Sequence, residues 1–574
     1  MSNQEFAELL YKAADVYELN NIEWKPRAYR KAARSIESLG KDIKEIYEKD
    51  GEKGLEEIPG VGQAIAKHII EYLKTEKVKK WEALFKKAPK EYVELLSLEG
   101  LGPRKVRILT EKLGIKTINE LKDAIERKKL ERLEGFGVKT EENLLKSIQL
   151  HKKGEGRILL NKALPLAEEI INYLKKNSPV QKIDYAGSLR RMKETIGDID
   201  ILSSSNHPEK IIEKFTTMPN VDRVVSKGTT RSSIKLKEGI QVDLRVVPSE
   251  SYSAALQYFT GNKLHNIEVR KVAIKKGYKL SEYGLFNNKT NKMIKCDTEE
   301  EIYRKLGFSY IPPELRRLNG ELEAARKGKI PKILELKDIK GDLQMHSTYS
   351  DGINSVEEMT NEACKMGYEY IAITDHSKSA RIAHGMEIDR LNNQWKEIEN
   401  ISKKYKIKII KSAEVDILPD GSLDYPESVL KKLEMVIGAI HSGFKMDINK
   451  MTERITKALE NKYLDILAHP TGRLVGKREA YSVNLQKVFE TAEKNNKVIE
   501  INANPERLDL NDSNIMEANK HNIKFSVNTD AHSIDQLHYM KYGVAQARRG
   551  WLTKNNVVNT YSLAKLRNIF KKIK

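Results

Sequence analysis

Gly197-Asp198-Ile199-Asp200-Ile201-Leu202 places two carboxylates two residues apart, ahead of an apolar pair. On a strand alternate side chains share a face, so Asp198 and Asp200 point one way while Ile199 and Ile201 point into a core. Two carboxylates so close repel unless cations lie between them. Upstream, in Ala186-Gly187-Ser188-Leu189-Arg190-Arg191, Gly187 and Ser188 let the backbone approach a phosphate, and Arg191 adds a planar cation. Gln241-Val242-Asp243-Leu244-Arg245 alternates again, with Asp243 on the face opposite Val242 and Leu244. A lone Asp-x-Asp in a chain this charged is an ordinary solvated strand end, and the third carboxylate changes the reading. A neighbouring strand carrying Asp243 completes a site for two Mg²⁺ or Mn²⁺ ions about 3.5–4 Å apart, the arrangement of in-line phosphoryl displacement. Carboxylates for metal beside a phosphate cradle indicate nucleotidyl transfer.

A second set of candidate ligands fills the C-terminal part. Short apolar runs at 343–345, 370–374, 408–412, 435–440, 464–468, 498–501 and 524–527 recur about every thirty residues, the size of a strand-plus-helix unit. Seven such units predict a β/α barrel with one unit fewer than the usual eight. Nearly every run ends in a ligand type: His346 and Asp351, Asp375-His376, Glu414, His441, His469, then Asp530 and His532. The C-terminal strand ends of such a barrel converge on one face. A single strand-end histidine is usually a packed or surface residue, but here five of the chain's 12 histidines occupy equivalent ends. Mixed imidazole and carboxylate ligands suit Mn²⁺, Zn²⁺ or Fe²⁺ in a multinuclear hydrolytic site.

Several domains must position these residues, because 574 residues exceed one ordinary domain. The formal charge of +20 favours a polyanionic partner, nucleic acid first, with binding that weakens steeply in salt. Two distant cysteines, Cys296 and Cys364, exclude a disulfide scaffold, and no apolar run reaches membrane-spanning length. With no secretory pattern at the start, we read a cytoplasmic protein without a membrane partner, and expect a monomer. Residues 1–88 read as short amphipathic helices, in which Phe6, Leu9, Leu10, Ala13 and Ala14 share a face. Ile58-Pro59-Gly60-Val61-Gly62 recurs as Leu98-Glu99-Gly100-Leu101-Gly102-Pro103, and more loosely as Leu133-Glu134-Gly135-Phe136-Gly137. A Gly-x-Gly turn opening a helix offers free N–H groups to a phosphate without reading bases. One copy is equally a hinge between packed helices; repeated copies in a basic chain favour DNA binding through Gly60, Gly62, Gly100 and Gly102. Arg326 to Lys340, lysine-rich and containing Pro331, reads as a linker.

The Gly-x-Gly turns resemble helix-hairpin-helix motifs. Residues 1–320 resemble a family X DNA polymerase of the polymerase beta type, and 341–574 resemble a PHP (polymerase and histidinol phosphatase) domain, a fusion found in bacteria and archaea. The resemblance implies helical DNA-binding domains at 1–88 and 89–154, an α+β nucleotidyltransferase palm at 155–247, a nascent-base-pair subdomain at 248–320, a linker at 321–340 and a PHP barrel at 341–574. It implies that Asp198 and Asp200 bind both catalytic metals and that Asp243 binds the one shared with the primer 3′-hydroxyl. Gly187, Ser188, Arg191 and Gly197 would contact the triphosphate of a deoxynucleotide. Tyr258, Phe259 and Gly261 would line its sugar pocket, Asn266 would meet the base edge, and Arg270 the template minor groove. The partner would be gapped or primer–template DNA, the activity short-gap filling in repair. The barrel would add Mn²⁺-dependent 3′→5′ exonuclease or 3′-end processing.

Two departures stand out. The position of the 5′-deoxyribose phosphate lyase lysine is taken by His68, with Lys67 turned about 100° around the helix, which argues against lyase activity. PHP sequences begin His-x-His, whereas this chain reads Gln344-Met345-His346, a weaker ligand at one position. Competing readings are a template-independent nucleotidyltransferase, a barrel that is structural, and a barrel acting on another phosphate ester.

Overall fold

The computed structural model describes residues 3–19, 22, 24–37, 43–75, 77–87, 95, 101, 103–127, 129–130, 133, 136, 140–141, 144 and 157–573. The chain divides into two compact units. One comprises Met1–Ile158, Ile170–Gly187 and Gly197–Gly328, the other Leu159–Glu169, Ser188–Ile196 and Lys329–Lys574.

In the first unit, apolar residues at helical spacing build the N-terminal core. Phe6, Leu10, Ala13, Ala14 and Tyr17 from Asn3–Leu19 meet Tyr29, Ala32, Ala33 and Ile36 from Lys25–Glu37, and Ile65, Ala66 and Ile69 from Gln63–Thr75. A separate core gathers Leu101, Val106, Leu109, Leu121, Ile125 and Phe136. Its helix Ile118–Glu126 opens with a capping box between Thr117 and Glu120, which satisfies N–H groups the first turn would leave unpaired.

A five-stranded sheet follows: β1 (Lys182–Tyr185), β2 (Asp198–Ser204), β3 (Val221–Lys227), β4 (Arg231–Leu236) and β5 (Gln241–Val247), in the order β1-β2-β5-β4-β3. Only β2 and β5 run parallel. Their Ile199, Ile201, Val242 and Leu244 are buried, which commits the intervening aspartates to the other face. Helices Tyr252–Thr260 and Lys263–Lys275 come next, and Tyr252, Ala255, Leu256 and Phe259 rest on Leu202 and Val247 of the sheet.

The second unit is built on seven parallel strands in sequence order: β6 (Gly341–Met345), β7 (Tyr370–Ile373), β8 (Lys408–Asp416), β9 (Met435–Ala439), β10 (Ile466–Leu467), β11 (Val498–Asn502) and β12 (Lys524–Asn528). Past the last strand the sheet closes on the first. His346 N donates to Ala531 O at 2.8 Å and Asp530 N to Gln344 O at 3.1 Å. The strands are buried on both faces, as parallel sheets are. One face packs against the surrounding helices. The other is covered by Val558, Tyr561, Leu566 and Phe570 from the C-terminal segment.

The strands match the apolar runs with two differences. β8 extends to Asp416, because Glu414 and Asp416 continue the pairing with β9. β10 shrinks to two residues, and His469 just beyond it adopts φ 26°, which no strand accommodates. Within 321–340, Leu334 is buried in the barrel-side core and its N–H donates to Leu552 O at 2.8 Å.

Candidate functional site

Parallel pairing of β2 with β5 sets Asp200 opposite Asp243 and Asp198 opposite Gln241. Oxygens of Asp198, Asp200 and Asp243 lie within 4.8 Å of one another, Asp198 exposed and the other two half-buried. Asp243 is fixed by neighbours: Ser233 Oγ donates to its Oδ1, and Gln241 Nε2 donates at 3.1–3.2 Å. Gly187 borders this face. Its φ is 57°, and a Cβ there would overlap Asp200 Oδ2 and lie 2.9 Å from Cγ, so only glycine leaves the carboxylate room. Gly197 lies beside Arg157. Ser188 sits in the helical turn Gly187–Arg190, where its carbonyl accepts from Lys193 N at 3.1 Å, and Arg191 follows at the turn's end.

Past the sheet, Tyr258 and Phe259 contact edge to face at 5.2 Å, and Arg245 stacks on Phe259 at 4.8 Å. Gly261 ends the first helix with φ 68°. Asn266 is buried and turned inward: Gln257 Nε2 donates to its Oδ1 at 2.8 Å, and its Nδ2 donates to Tyr258 O at 2.6 Å. Arg270 Nε reaches Asn266 O at 3.4 Å.

At the N-terminal helices, Gly60 (φ 92°) leaves no room for a side chain, since a Cβ would lie 2.8 Å from Lys31 Cγ and 3.1 Å from Ala32 N. Gly62 is exposed, and its carbonyl accepts from Ile65 and Ala66 at 2.9 and 3.0 Å, opening the helix Gln63–Thr75. The N-terminal turn of that helix faces solvent, as a phosphate grip requires. Gly100 and Gly102 lie outside the described residues. His68 packs against Trp81 at 5.1 Å, and burial, then Lys80, holds its pKa below the ordinary imidazole value; Lys67 is exposed.

In the barrel, strand ends bring together residues spread over almost two hundred positions. Three overlapping groups have ligand atoms within 4.8 Å: His346, Asp351, His376 and His532; His376, Glu414 and His441; and His346, Glu414 and Asp530. Glu414 is the hub, with oxygens 3.2 Å from His346, 3.6 Å from His376, 3.2 Å from His441 and 2.9 Å from His469. His469 meets Glu414 at 2.9 Å and packs against the His441 ring at 5.3 Å, but belongs to none of the three groups.

The donor set fits cations. His346 Nδ1 and Gln344 Oε1 are buried without a hydrogen-bond partner, while His346 Nε2, His376 Nδ1 and Glu414 Oε2 face one another at 3.2–3.6 Å without well-formed hydrogen bonds. Orphaned buried polar atoms are costly unless something outside the protein satisfies them. Gln344 also points its amide nitrogen toward Asp530 Oδ1 at 3.5 Å. His469 and Asp530 (φ 54°) hold left-handed backbone despite their side chains, strain of the kind that collects at functional sites. Electrostatics divides the imidazoles. Burial would lower His346 and His441, but carboxylates outweigh it and hold His346 well above its ordinary value and His441 at about 10. For His376 burial prevails, and its pKa falls to about 4.

Two groups that support the site, Asp416 and Glu500, escaped the sequence reading, and Asp375, read there as a ligand type, joins none of the three groups and acts as a support. Asp416 Oδ1 sits 2.6 Å from His441 Nδ1 and fixes that ring. Glu500 accepts from His469 N at 2.6 Å and from Asn528 Nδ2 at 2.9 Å. Asp375 takes Ser347 N at 2.8 Å and Ser347 Oγ at 2.6 Å. Asp416 was the findable one, a carboxylate two residues past a ligand on the same strand face.

Comparison with known proteins agrees with this geometry. Residues 1–78 match a helix-hairpin-helix domain, 92–149 a SAM-like helix-hairpin-helix tandem, 255–317 the DNA polymerase beta thumb and 342–504 the PHP domain. The chain is 38% identical over 567 residues, 98% of each chain, to the DNA polymerase/3′-5′ exonuclease PolX of Bacillus subtilis (strain 168). It is 35% identical over 161 residues to the repair DNA polymerase X of African swine fever virus, 26% of this chain and 86% of that one. A probable phosphatase of Thermoanaerobacter sp. (strain X514) is 29% identical over 218 residues, 36% of this chain and 84% of that one. Similarity along essentially the whole of two chains, with the domains in one order, makes this protein a member of the bacterial family X DNA polymerases that carry a C-terminal PHP domain.

Proposed function

We propose that the chain is a DNA-directed DNA polymerase that fills short gaps during repair, and that its barrel hydrolyses phosphodiesters at a 3′ end. The observation that carries the first half is the register that brings Asp200 beside Asp243 with Asp198 on the same face. Asp198, Asp200 and Asp243 would hold two Mg²⁺ or Mn²⁺ ions, which supply charge neutralisation and alignment for in-line transfer. Ser188 and Arg191, with Gly187 and Gly197, bind the triphosphate of a deoxynucleotide, and Arg191 balances charge on the departing pyrophosphate. Tyr258, Phe259 and Gly261 form the wall of the sugar pocket, with Asn266 and Arg270 beyond it. Asn266 would have to release Tyr258 O to present its amide to a base. The helix opened by Gly60 and Gly62, and its repeat at Gly100 and Gly102, grip the DNA backbone, in domains bounded as the sequence reading draws them.

In the barrel His346, Asp351, His376, Glu414, His441, Asp530 and His532 would hold a multinuclear centre of Mn²⁺, Zn²⁺ or Fe²⁺, with His469 bracing Glu414. Bound there, the ions supply a nucleophilic water and polarise the phosphate. The buried, unpartnered Gln344 Oε1 supports its taking the place of the missing histidine rather than leaving a purely structural barrel.

A 5′-labelled primer on a gapped duplex with Mn²⁺, with and without deoxynucleotides, tests both halves. Loss of extension alone in Asp200→Ala, and of shortening alone in His441→Ala, is the expected result. Extension without shortening in the unaltered protein would redirect the barrel to another phosphate ester, in keeping with its phosphatase-named relative. Shortening without extension would overturn the polymerase reading.

A further inference from the structure

Ser188–Ile196 lies between Gly187 and β2 in sequence, yet it belongs to the compact unit built on the barrel. Two arginines of that unit hold it. Arg473, four residues past His469, donates to Glu194 from both terminal nitrogens, at 3.3 Å to Oε1 and 2.7 Å to Oε2, and also reaches Leu508 O. Arg549 pairs with Asp512, its Nε donating at 2.8 Å, and its Nη1 donates to Arg191 O at 2.6 Å. Their side chains are only 14% and 4% exposed, so each charge must be neutralised locally. Each arginine gives part of its fork to this one segment.

The segment is itself a closed turn. Met192 N donates to Leu189 O at 2.9 Å, Lys193 N to Ser188 O at 3.1 Å, and Met192 takes a left-handed φ of 50°. Glu194 O also accepts from Leu160 N at 3.0 Å. Fixing the turn at positions 191 and 194 therefore fixes the backbone that carries Ser188 and Arg191.

We propose that Arg473 and Arg549 are positioning residues for nucleotidyl transfer, through which the barrel holds the triphosphate cradle in its binding shape. The proposal rests on the reading of Ser188 and Arg191 as triphosphate contacts. A turn released from its clamp must be ordered each time a nucleotide binds, which weakens nucleotide affinity more than it slows the bound complex.

The test uses the full-length protein with a primer–template, measuring KM for deoxynucleotide and kcat separately, with 3′-end hydrolysis and thermal melting alongside. Glu194→Ala is expected to raise KM about tenfold with kcat and hydrolysis essentially unchanged, and to lower the melting temperature because Arg473 loses its carboxylate partner. Exchanging the pair, Glu194→Arg with Arg473→Glu, should recover part of the loss. Arg191→Ala is the reference. If it raises KM while Glu194→Ala does not, the clamp is overturned and the cradle stands. If Arg191→Ala leaves KM unchanged, the cradle reading falls and the proposal with it. A Glu194→Ala protein that loses kcat, hydrolysis and melting temperature together would mark Glu194 as a structural staple and overturn positioning.

Discussion

The carboxylate triad of the palm and the imidazole–carboxylate cluster of the barrel differ first in burial. Asp198, Asp200 and Asp243 sit on an open sheet face, on two adjacent strands, with Ser233 and Gln241 as the neighbours that fix Asp243. The barrel groups come from the ends of nearly all its strands, and His346, Glu414 and Asp530 are buried among Asp375, Asp416 and Glu500. An open face admits the end of a duplex and a nucleotide together, and its geometry needs only correct strand register. A closed cluster works at low dielectric, where each charge interaction is stronger, and its geometry needs the whole barrel. The first site should therefore fail through its own residues, the second also through the shell that holds them.

The largest effects should separate the two sites cleanly. Asp243→Ala should lower primer extension by about 10³-fold or more and leave hydrolysis intact, while Glu414→Gln should do the reverse, both followed on one labelled primer. Equal loss of both activities in either variant would mean the two clusters serve one reaction. Next comes Gly187→Ala, which forces a side chain into Asp200 and should cost extension about 10²-fold without touching hydrolysis. Asp416→Asn tests the shell. By loosening the His441 ring it should reduce hydrolysis or Mn²⁺ affinity about 10- to 100-fold, measured by titrating the metal.

A separate effect is on stability and concerns the barrel alone. Burial pushes Asp342 up to about 7, although Thr529 and Gln344 donate to it. The native state then keeps a proton that the unfolded chain releases at ordinary carboxylate pH. Stability from this group is fully present below that range and is lost as pH rises toward 7, by up to about 1.4 kcal/mol per pH unit. Asp342→Asn should flatten this slope, so its melting temperature gains on the unaltered protein as pH rises from 4 to 7. Parallel curves for the two proteins would show that Asp342 ionises freely in the fold.

The palm was the more legible region. Period-two alternation around Asp198, Asp200 and Asp243 fixes which face each aspartate takes, and burial of Ile199, Ile201, Val242 and Leu244 bears out that alternation. In the barrel, the ligand types at strand ends were readable because a β/α repeat sends those ends to one face. Glu500 was not, because it holds its place through partners distant in sequence such as Asn528, and Asp375, readable as a ligand type, takes its supporting role from the distant Ser347.

The sequence by itself determined the elements, their facing and the chemical types at each site, since these depend on local periodicity and side-chain chemistry. Only the tertiary structure decided that Glu414 is the hub, that Asn266 faces inward, and that Arg473 and Arg549 hold the turn at 188–196. Those outcomes depend on which distant groups meet in a low-dielectric interior, and no local pattern encodes such a meeting.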